Sequence, residues 1–175
     1  MEKNGLGLLH VYTGEGKGKT TAALGLALRA WGHGLRVGVV QFMKKGEDYG
    51  EILALRRMGI EVFQFGSGKL VIKGRHCQDD LDCARHALDL SRSMLRSGEF
   101  DLIILDEVNV TLYFELISLD EVLEALKQRD HGVEVICTGR NAPKELIKEA
   151  DLVTVMTIEK HPYDEGLEAR KGIEY

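Results

Sequence analysis

The chain has 175 residues, with 23 Lys and Arg against 28 Asp and Glu and a formal net charge of −5 at pH 7. This length fits one domain, so we expect residues 1–175 to fold as a single unit. A content of 44% hydrophobic and 29% charged residues excludes a disordered chain. The negative charge excludes a protein that binds nucleic acid by bulk positive charge.

The sequence shows neither export nor membrane signals. Its three cysteines, Cys77, Cys83 and Cys137, are too few and too irregularly spaced for a disulfide framework, as is typical of a reducing cytosol. No basic segment followed by an apolar one opens the chain, and the longest apolar runs fall short of the ~20 residues that a membrane helix needs. We therefore expect a cytoplasmic protein that does not span a membrane.

Short apolar runs alternate with amphipathic segments of helix length. In chain order these are strand 8–12, helix 19–31, strand 35–42, helix 51–58, strand 60–65, helix 79–96, strand 100–105, helix 118–129, strand 133–137, helix 143–150 and strand 152–158. A capping box, Ser118 to Glu121, opens the fourth helix. The alternation predicts an α/β fold with a mostly parallel sheet of about six strands flanked by helices. Ligands bind such sheets at the carboxyl ends of the strands.

The residues after the first strand form a glycine-rich loop. Residues 13–21 read Thr-Gly-Glu-Gly-Lys-Gly-Lys-Thr-Thr, which fits the phosphate-loop pattern except that Thr13 replaces its first glycine. Such a loop turns backbone N–H groups towards an anion, and the next helix adds the positive end of its dipole. A simple glycine-rich turn is the alternative. The residues expected to bind the nucleotide are Gly14, Glu15, Gly16, Lys17, Gly18, Lys19, Thr20 and Thr21.

Lys19 is expected at a solvent-facing helix start, where it supplies a positive charge to phosphates. Two acids, Asp106 and Glu107, follow the apolar fourth strand at the same edge of the sheet. Hard oxygen ligands suit Mg²⁺ or Mn²⁺, so the predicted metal ligands are Thr20, Asp106 and Glu107. The alternative for the acids is a strand that ends in a solvated turn.

The remaining strand ends add polar residues. Gln41 to Lys44 lie at the end of the second strand, and Arg140 follows the fifth, where its guanidinium can bind phosphate in a bidentate manner. Solvated surface is the alternative for each basic residue taken alone. His76, Cys77, Cys83 and His86 do not match a familiar zinc spacing.

The chain resembles the ATP:corrinoid adenosyltransferases of the P-loop type. Four blocks carry the resemblance: residues 14–23, residues 39–44, residues 105–107 and the segment 138–175. The last block contains Thr-Gly-Arg at 138–140, Lys-His-Pro-Tyr-Asp-Glu-Gly at 160–166 and Gly-Ile-Glu-Tyr at 172–175. The family usually has Asn at the position of Glu15. The resemblance implies a P-loop NTPase-like (RecA-like) fold for a single P-loop nucleotide-binding domain.

The resemblance also implies a reaction. ATP and a corrinoid are the substrates, ATP lies reversed in the loop, and Co(I) attacks the 5′ carbon of ATP while triphosphate leaves. Lys19, Glu107 and Arg140 would be the catalytic residues. A flavoprotein that supplies electrons and a second copy of the chain, in a homodimer, are the implied partners, with no nucleic acid.

Two family features are missing from the sequence. Few residues precede the first strand, so we expect the family's N-terminal arm over the site to be missing or replaced. The loop at 66–74 has no aromatic residue, whereas the family places a Phe and a Trp there, near the corrinoid. Two alternatives stay open on the residues: an ATPase or kinase that acts on another substrate, and a non-catalytic ATP sensor.

Overall fold

The computed structural model describes residues 5–46, 49–69 and 71–174. Its helices and strands are β1 (Leu9–Thr13), α1 (Lys19–Gly32), β2 (Val37–Phe42), α2 (Gly50–Arg57), β3 (Glu61–Phe65), α3 (Gln78–Ser97), β4 (Leu102–Asp106), α4 (Val108–Tyr113), α5 (Leu119–Lys127), β5 (Glu134–Thr138), α6 (Lys144–Glu149) and β6 (Leu152–Val155), followed by a 3-10 helix (Pro162–Glu165).

The six strands form one parallel sheet in the order β3-β2-β4-β5-β1-β6. This confirms the predicted α/β fold and is consistent with a P-loop NTPase-like scaffold. All carboxyl ends meet at one edge, where β5 separates β1 from β4. The phosphate loop after β1 and the acids after β4 therefore lie about two strand spacings apart, roughly 10 Å.

Helices cover both faces of the sheet. On one face, α1 packs through Ala23, Ala27 and Ala30 against apolar residues of β2, β4 and β5. These alanines lie on one side of the helix, and their small side chains let it approach the sheet closely. On the other face, α3, α5 and α6 enclose the larger core. No helix within the described ranges is long and apolar enough to cross a membrane.

Three elements differ from the prediction. Helix α4 and the 3-10 helix were not predicted, and β6 ends at Val155 instead of 158. The sequence of α4 is rich in Val and Thr, which favour strands. Tertiary contacts override this preference, because Asn109 Nδ2 donates to the carbonyls of Tyr12 (3.4 Å) and Gly139 (3.1 Å) and so holds α4 against the carboxyl ends of β1 and β5.

The predicted cap of α5 is present. Ser118 Oγ accepts a hydrogen bond from the Glu121 backbone N–H at 3.2 Å. The Glu121 carboxylate does not reach back to the backbone in the expected manner: it accepts hydrogen bonds from the Ser118 hydroxyl and from Arg85 and Arg92 of α3. The cap therefore also joins α5 to α3.

Replacing Glu121 with glutamine is expected to destabilise the fold by about 1 kcal/mol at pH 7, because the ion pairs are partly exposed. Hydrogen bonds from Arg85, with those of Ser118 and Arg92, lower the pKa of Glu121 from 4.5 to about 2. The stabilisation is thus complete above pH 4.5 and is lost as the pH falls towards 2. Urea unfolding at pH 7 and pH 3 measures this, with Glu124→Gln on the same helix as the control. An equal deficit at both pH values would contradict the expectation.

Candidate functional site

The loop between β1 and α1 packs directly against the chain that follows β6. Gly16 N donates to the Met156 carbonyl at 2.7 Å, and Met156 N donates to the Thr13 carbonyl at 2.8 Å. A Cβ atom at Gly14 or Gly16 would collide with backbone atoms of Met156 or Thr157. Glycine is therefore required at both positions by this close backbone approach.

Lys19 is buried, which corrects the expectation of a solvent-facing residue. Only 8% of its surface is exposed. Its ammonium lies inside the loop, where it donates to the carbonyls of Gly14 (2.7 Å) and Gly16 (2.6 Å). Burial lowers the pKa of Lys19, and the nearby Arg140 cation adds to the effect. The loop thus encloses the Lys19 ammonium, which a phosphate group that enters the cleft can contact.

Asp106 connects the strands at the carboxyl edge and is completely buried. Its carboxylate accepts four hydrogen bonds, from Thr20 Oγ1 (2.8 Å), Thr138 Oγ1 (2.7 Å), Gln41 Nε2 (2.9 Å) and Lys44 Nζ (2.7 Å). Burial alone would raise the pKa of Asp106, but Lys44 and the hydroxyl donors hold it below its ordinary value. Asp106 is therefore an anion that fixes Thr20 relative to β4.

Glu107, the residue that precedes α4, has a left-handed conformation, with φ of 63°. Its backbone N–H donates to Thr138 Oγ1 at 3.0 Å, and its partly buried side chain lines the cleft beside the loop. Burial and the adjacent Asp106 carboxylate raise the pKa of Glu107. The left-handed turn directs the chain away from the sheet, so the two neighbouring acids have different environments.

Two carboxylates and the Thr20 hydroxyl give this edge the oxygen-rich donor set that Mg²⁺ prefers. A cation already lies there: Lys44 Nζ is 2.7 Å from Asp106 Oδ2 and 4.0 Å from Glu107 Oε1. Thr20, Asp106 and Glu107 therefore form a suitable environment for a positively charged ion. Among the described residues, no group of three His, Cys, Asp or Glu could hold a metal. Phosphate or water oxygens would have to complete the coordination.

Lys44 and Thr138 are the functional candidates that sequence reasoning underrated. Both residues were noted at strand ends and within the blocks that carry the family resemblance, but neither was assigned a role in the site. Burial alone would lower the pKa of Lys44, but attraction to Asp106 and Glu107 raises it. The available signal was the order Gln-Phe-Met-Lys at the end of β2, which becomes informative once β2 and β4 are known to be neighbours.

The exposed cations of the site are already paired with carboxylates. Arg140 Nη1 lies 3.4 Å from Glu15 Oε2, with both side chains more than half exposed. Lys17 Nζ lies 2.9 Å from Glu174 Oε1, and Glu174 also accepts from the Arg170 backbone N–H at 2.8 Å. A phosphate group that reached Lys17 or Arg140 would therefore replace a carboxylate.

These residues line one open cleft of about 920 Å³. Its walls come from the loop, from Lys44 and Glu107, from Arg140, and from the C-terminal segment; the segment contributes His161, Tyr163, Asp164, Gly172, Ile173 and Glu174. The structure thus brings the loop, both acids and Arg140 together, as the sequence predicted. Thr21 also lines the cleft, whereas Asp106 lies beneath its floor.

Comparison with known proteins agrees with this arrangement. The profile of the family described as ATP:corrinoid adenosyltransferase BtuR/CobO/CobP matches residues 5–175. The corrinoid adenosyltransferase of Escherichia coli K12 is 38% identical over 169 residues, which is 97% of this chain and 86% of the relative. The Pseudomonas aeruginosa protein of the same name is 37% identical, over 97% of this chain and 84% of the relative. The Salmonella typhimurium corrinoid adenosyltransferase CobA is also 37% identical, over 97% and 86%. The chain therefore belongs to the ATP:corrinoid adenosyltransferase family.

Proposed function

We propose that the protein transfers the 5′-deoxyadenosyl group of ATP to Co(I) of a corrinoid and releases triphosphate. The observation that carries the proposal is the single cleft in which the phosphate loop, the acids after β4 and the C-terminal block meet. The relatives are named for this activity, and their similarity extends across nearly the whole chain. A cleft of this size has room for a nucleotide and leaves one side open for a larger substrate.

The chemistry places few demands on general bases. The cobalt electron pair forms the Co–C5′ bond, the C5′–O5′ bond breaks with its pair on the triphosphate, and cobalt passes formally from Co(I) to Co(III). The protein must hold the two substrates in line and stabilise a highly charged leaving group. Lys19 and the loop N–H groups would do so at the centre of the loop. Lys17 and Arg140 would do so at its rim once phosphate displaces Glu174 and Glu15.

Thr20, Asp106 and Glu107 would hold Mg²⁺ or Mn²⁺ at the neighbouring edge. The metal would neutralise charge on the triphosphate oxygens. Thr138 and Gln41 would act indirectly, because their hydrogen bonds to Asp106 fix the carboxylate that positions Thr20. In this arrangement Lys19, Glu107 and Arg140 are the catalytic residues.

The phosphorus product tests this function. Protein, ATP, Mg²⁺ and chemically reduced corrinoid should give triphosphate and a light-sensitive Co–C bond. ADP or AMP as the product would instead show an ATPase or kinase, an alternative that the relatives do not favour. ATP binding without any turnover would show a sensor.

We also propose where in the cell the protein acts and which partners it has. Residues 1–175 would act as one nucleotide-binding domain, in the cytoplasm, as a homodimer that receives electrons from a flavoprotein and binds no nucleic acid. The low cysteine count and the net charge support the cytoplasmic setting and the lack of nucleic-acid binding. Analytical ultracentrifugation of the purified protein measures the oligomeric state.

Replacing Glu15 with asparagine, the usual family residue, is expected to tighten ATP binding about threefold at low salt. The change removes one negative charge beside the loop and frees Arg140, and the effect is small because both groups are exposed. Calorimetric titration at low and high ionic strength measures it, and the gain should shrink at high salt. Glu149→Gln, at the far end of α6, is the control. Unchanged or weaker binding in the Glu15 variant at low salt would contradict the expectation.

The protein is expected to work well on pre-reduced Co(I) corrinoid and poorly when a weak reductant must first reduce Co(II). That reduction requires a dry apolar group against the ring to displace an axial ligand. Val71 packs against the core, and Ile72 is 51% exposed; Leu70 lies outside the described residues. Rates with strong and weak reductants measure the difference. Efficient formation of four-coordinate Co(II) in the ATP complex would contradict it.

A further inference from the structure

The ammonium of Lys44 lies among the three predicted metal ligands. Its Nζ is 2.7 Å from Asp106 Oδ2, 3.3 Å from Thr20 Oγ1 and 4.0 Å from Glu107 Oε1. Its side chain is 27% exposed, so the ammonium is reachable from the cleft while its partner Asp106 is fully buried. No other cation contacts the Asp106 carboxylate among the described residues.

An ammonium and a divalent cation cannot share this position. Both seek the same carboxylate and hydroxyl oxygens, and two cations at contact distance would repel each other strongly at a site so little exposed to solvent. A buried carboxylate without a cation is also costly. A lysine at this point therefore neutralises Asp106 whenever no metal is bound, and metal binding requires it to leave.

We propose that Lys44 is a tethered counter-ion that fills the metal position of the nucleotide-free protein and excludes free divalent metal. When ATP carries the metal into the cleft, the ammonium moves along its flexible side chain to the triphosphate. The first half of the proposal needs only the observed geometry, whereas the second half rests on the proposed function. Lys44 would thereby make metal binding depend on nucleotide.

Binding of Mn²⁺ to the nucleotide-free protein tests the first half, with free Mn²⁺ measured by electron paramagnetic resonance. Lys44→Met should bind Mn²⁺ roughly tenfold to a hundredfold more tightly than the unaltered protein, a range set by the strength of a charge-assisted hydrogen bond. Lys44→Arg, which keeps the charge, should bind Mn²⁺ as weakly as the unaltered protein. Lys45→Met, which removes the exposed neighbouring charge, is the matched control.

The Mg²⁺ dependence of thermal unfolding supplies a second readout that a merely structural ion pair would not show. Lys44→Met should lose stability, and Mg²⁺ should restore it while leaving the unaltered protein unchanged. Asp106→Asn in the Lys44→Met background should abolish the gained Mn²⁺ affinity. If Lys44→Met binds Mn²⁺ no better than Lys45→Met, or if Mg²⁺ does not restore its stability, the proposal is wrong.

Titration with ATP and Mn²⁺ together tests the second half. If Lys44 moves to the triphosphate when the metal binds, Lys44→Met should bind ATP several-fold more weakly than Lys45→Met does at saturating Mn²⁺. Equal ATP affinity would overturn the transfer of the ammonium. A failure of the adenosyl transfer itself would appear only in the product assay and would leave the nucleotide-free Mn²⁺ result unaffected.

Discussion

Replacing Lys19 with alanine is expected to weaken ATP binding at least about a hundredfold. Its ammonium lies inside the loop, and charge-assisted contacts with phosphate contribute about 1.5–3 kcal/mol each. The change also leaves the carbonyls of Gly14 and Gly16 without their donor, so the empty loop should lose order locally. Calorimetric titration with ATP measures the affinity, and circular dichroism measures whether the helices persist.

The matched control for this change is Lys148→Ala, which removes an exposed lysine of α6 away from the cleft. It should bind ATP as the unaltered protein does. Two results would contradict the prediction: unchanged ATP affinity in the Lys19 variant, or a loss of helical signal large enough to show global unfolding. The second result would mean that Lys19 holds the fold together instead of binding nucleotide.

Replacing Glu107 with glutamine is expected to lower metal-dependent turnover about a hundredfold or more while changing ATP affinity less than about threefold. The loop and Thr20 still hold the phosphates, whereas the amide that replaces the carboxylate binds a divalent cation poorly. The backbone N–H of Glu107 keeps its bond to Thr138, so the start of α4 should not move. Turnover measured against Mg²⁺ concentration separates the two effects.

Glu115→Gln is the control for Glu107, because both residues have a positive φ and they flank α4 at opposite ends. The Glu115 side chain is 78% exposed and lies 3.8 Å from Lys73, outside the cleft. Turnover of this variant should be unchanged. Full activity of Glu107→Gln at low Mg²⁺ would show that Glu107 does not hold the metal.

Local patterns were sufficient for most of the fold. Apolar runs located all six strands. The four inner strands leave the continuous hydrophobic signature of a strand buried on both faces, whereas the edge strands β3 and β6 are apolar although their residues are partly or fully exposed. Helix α4 was missed for a physical reason: its Val and Thr residues favour a strand, and the helix is held by contacts distant in sequence, among them the hydrogen bonds from Asn109 to the carbonyls of Tyr12 and Gly139. These hydrogen bonds join residues that are far apart in the sequence, so no local sequence pattern predicts them.

The sequence allowed the residues of the site to be predicted, but not the hydrogen bonds and ion pairs between them. The loop motif and the two acids could be recognised because each motif has its own chemistry. The role of Lys44 could not, because a lysine after a strand is usually solvated and only the pairing of β2 with β4 places it on Asp106. The burial of Lys19 was likewise unpredictable, because it depends on the loop closing around the ammonium.

The contact between Gly16 and Met156 has a consequence for the order in which the protein becomes functional during its synthesis. The loop is made first, but the backbone that supports it belongs to the segment after β6, which leaves the ribosome after all the other strands. A growing chain therefore carries an unsupported loop until β6 pairs with β1.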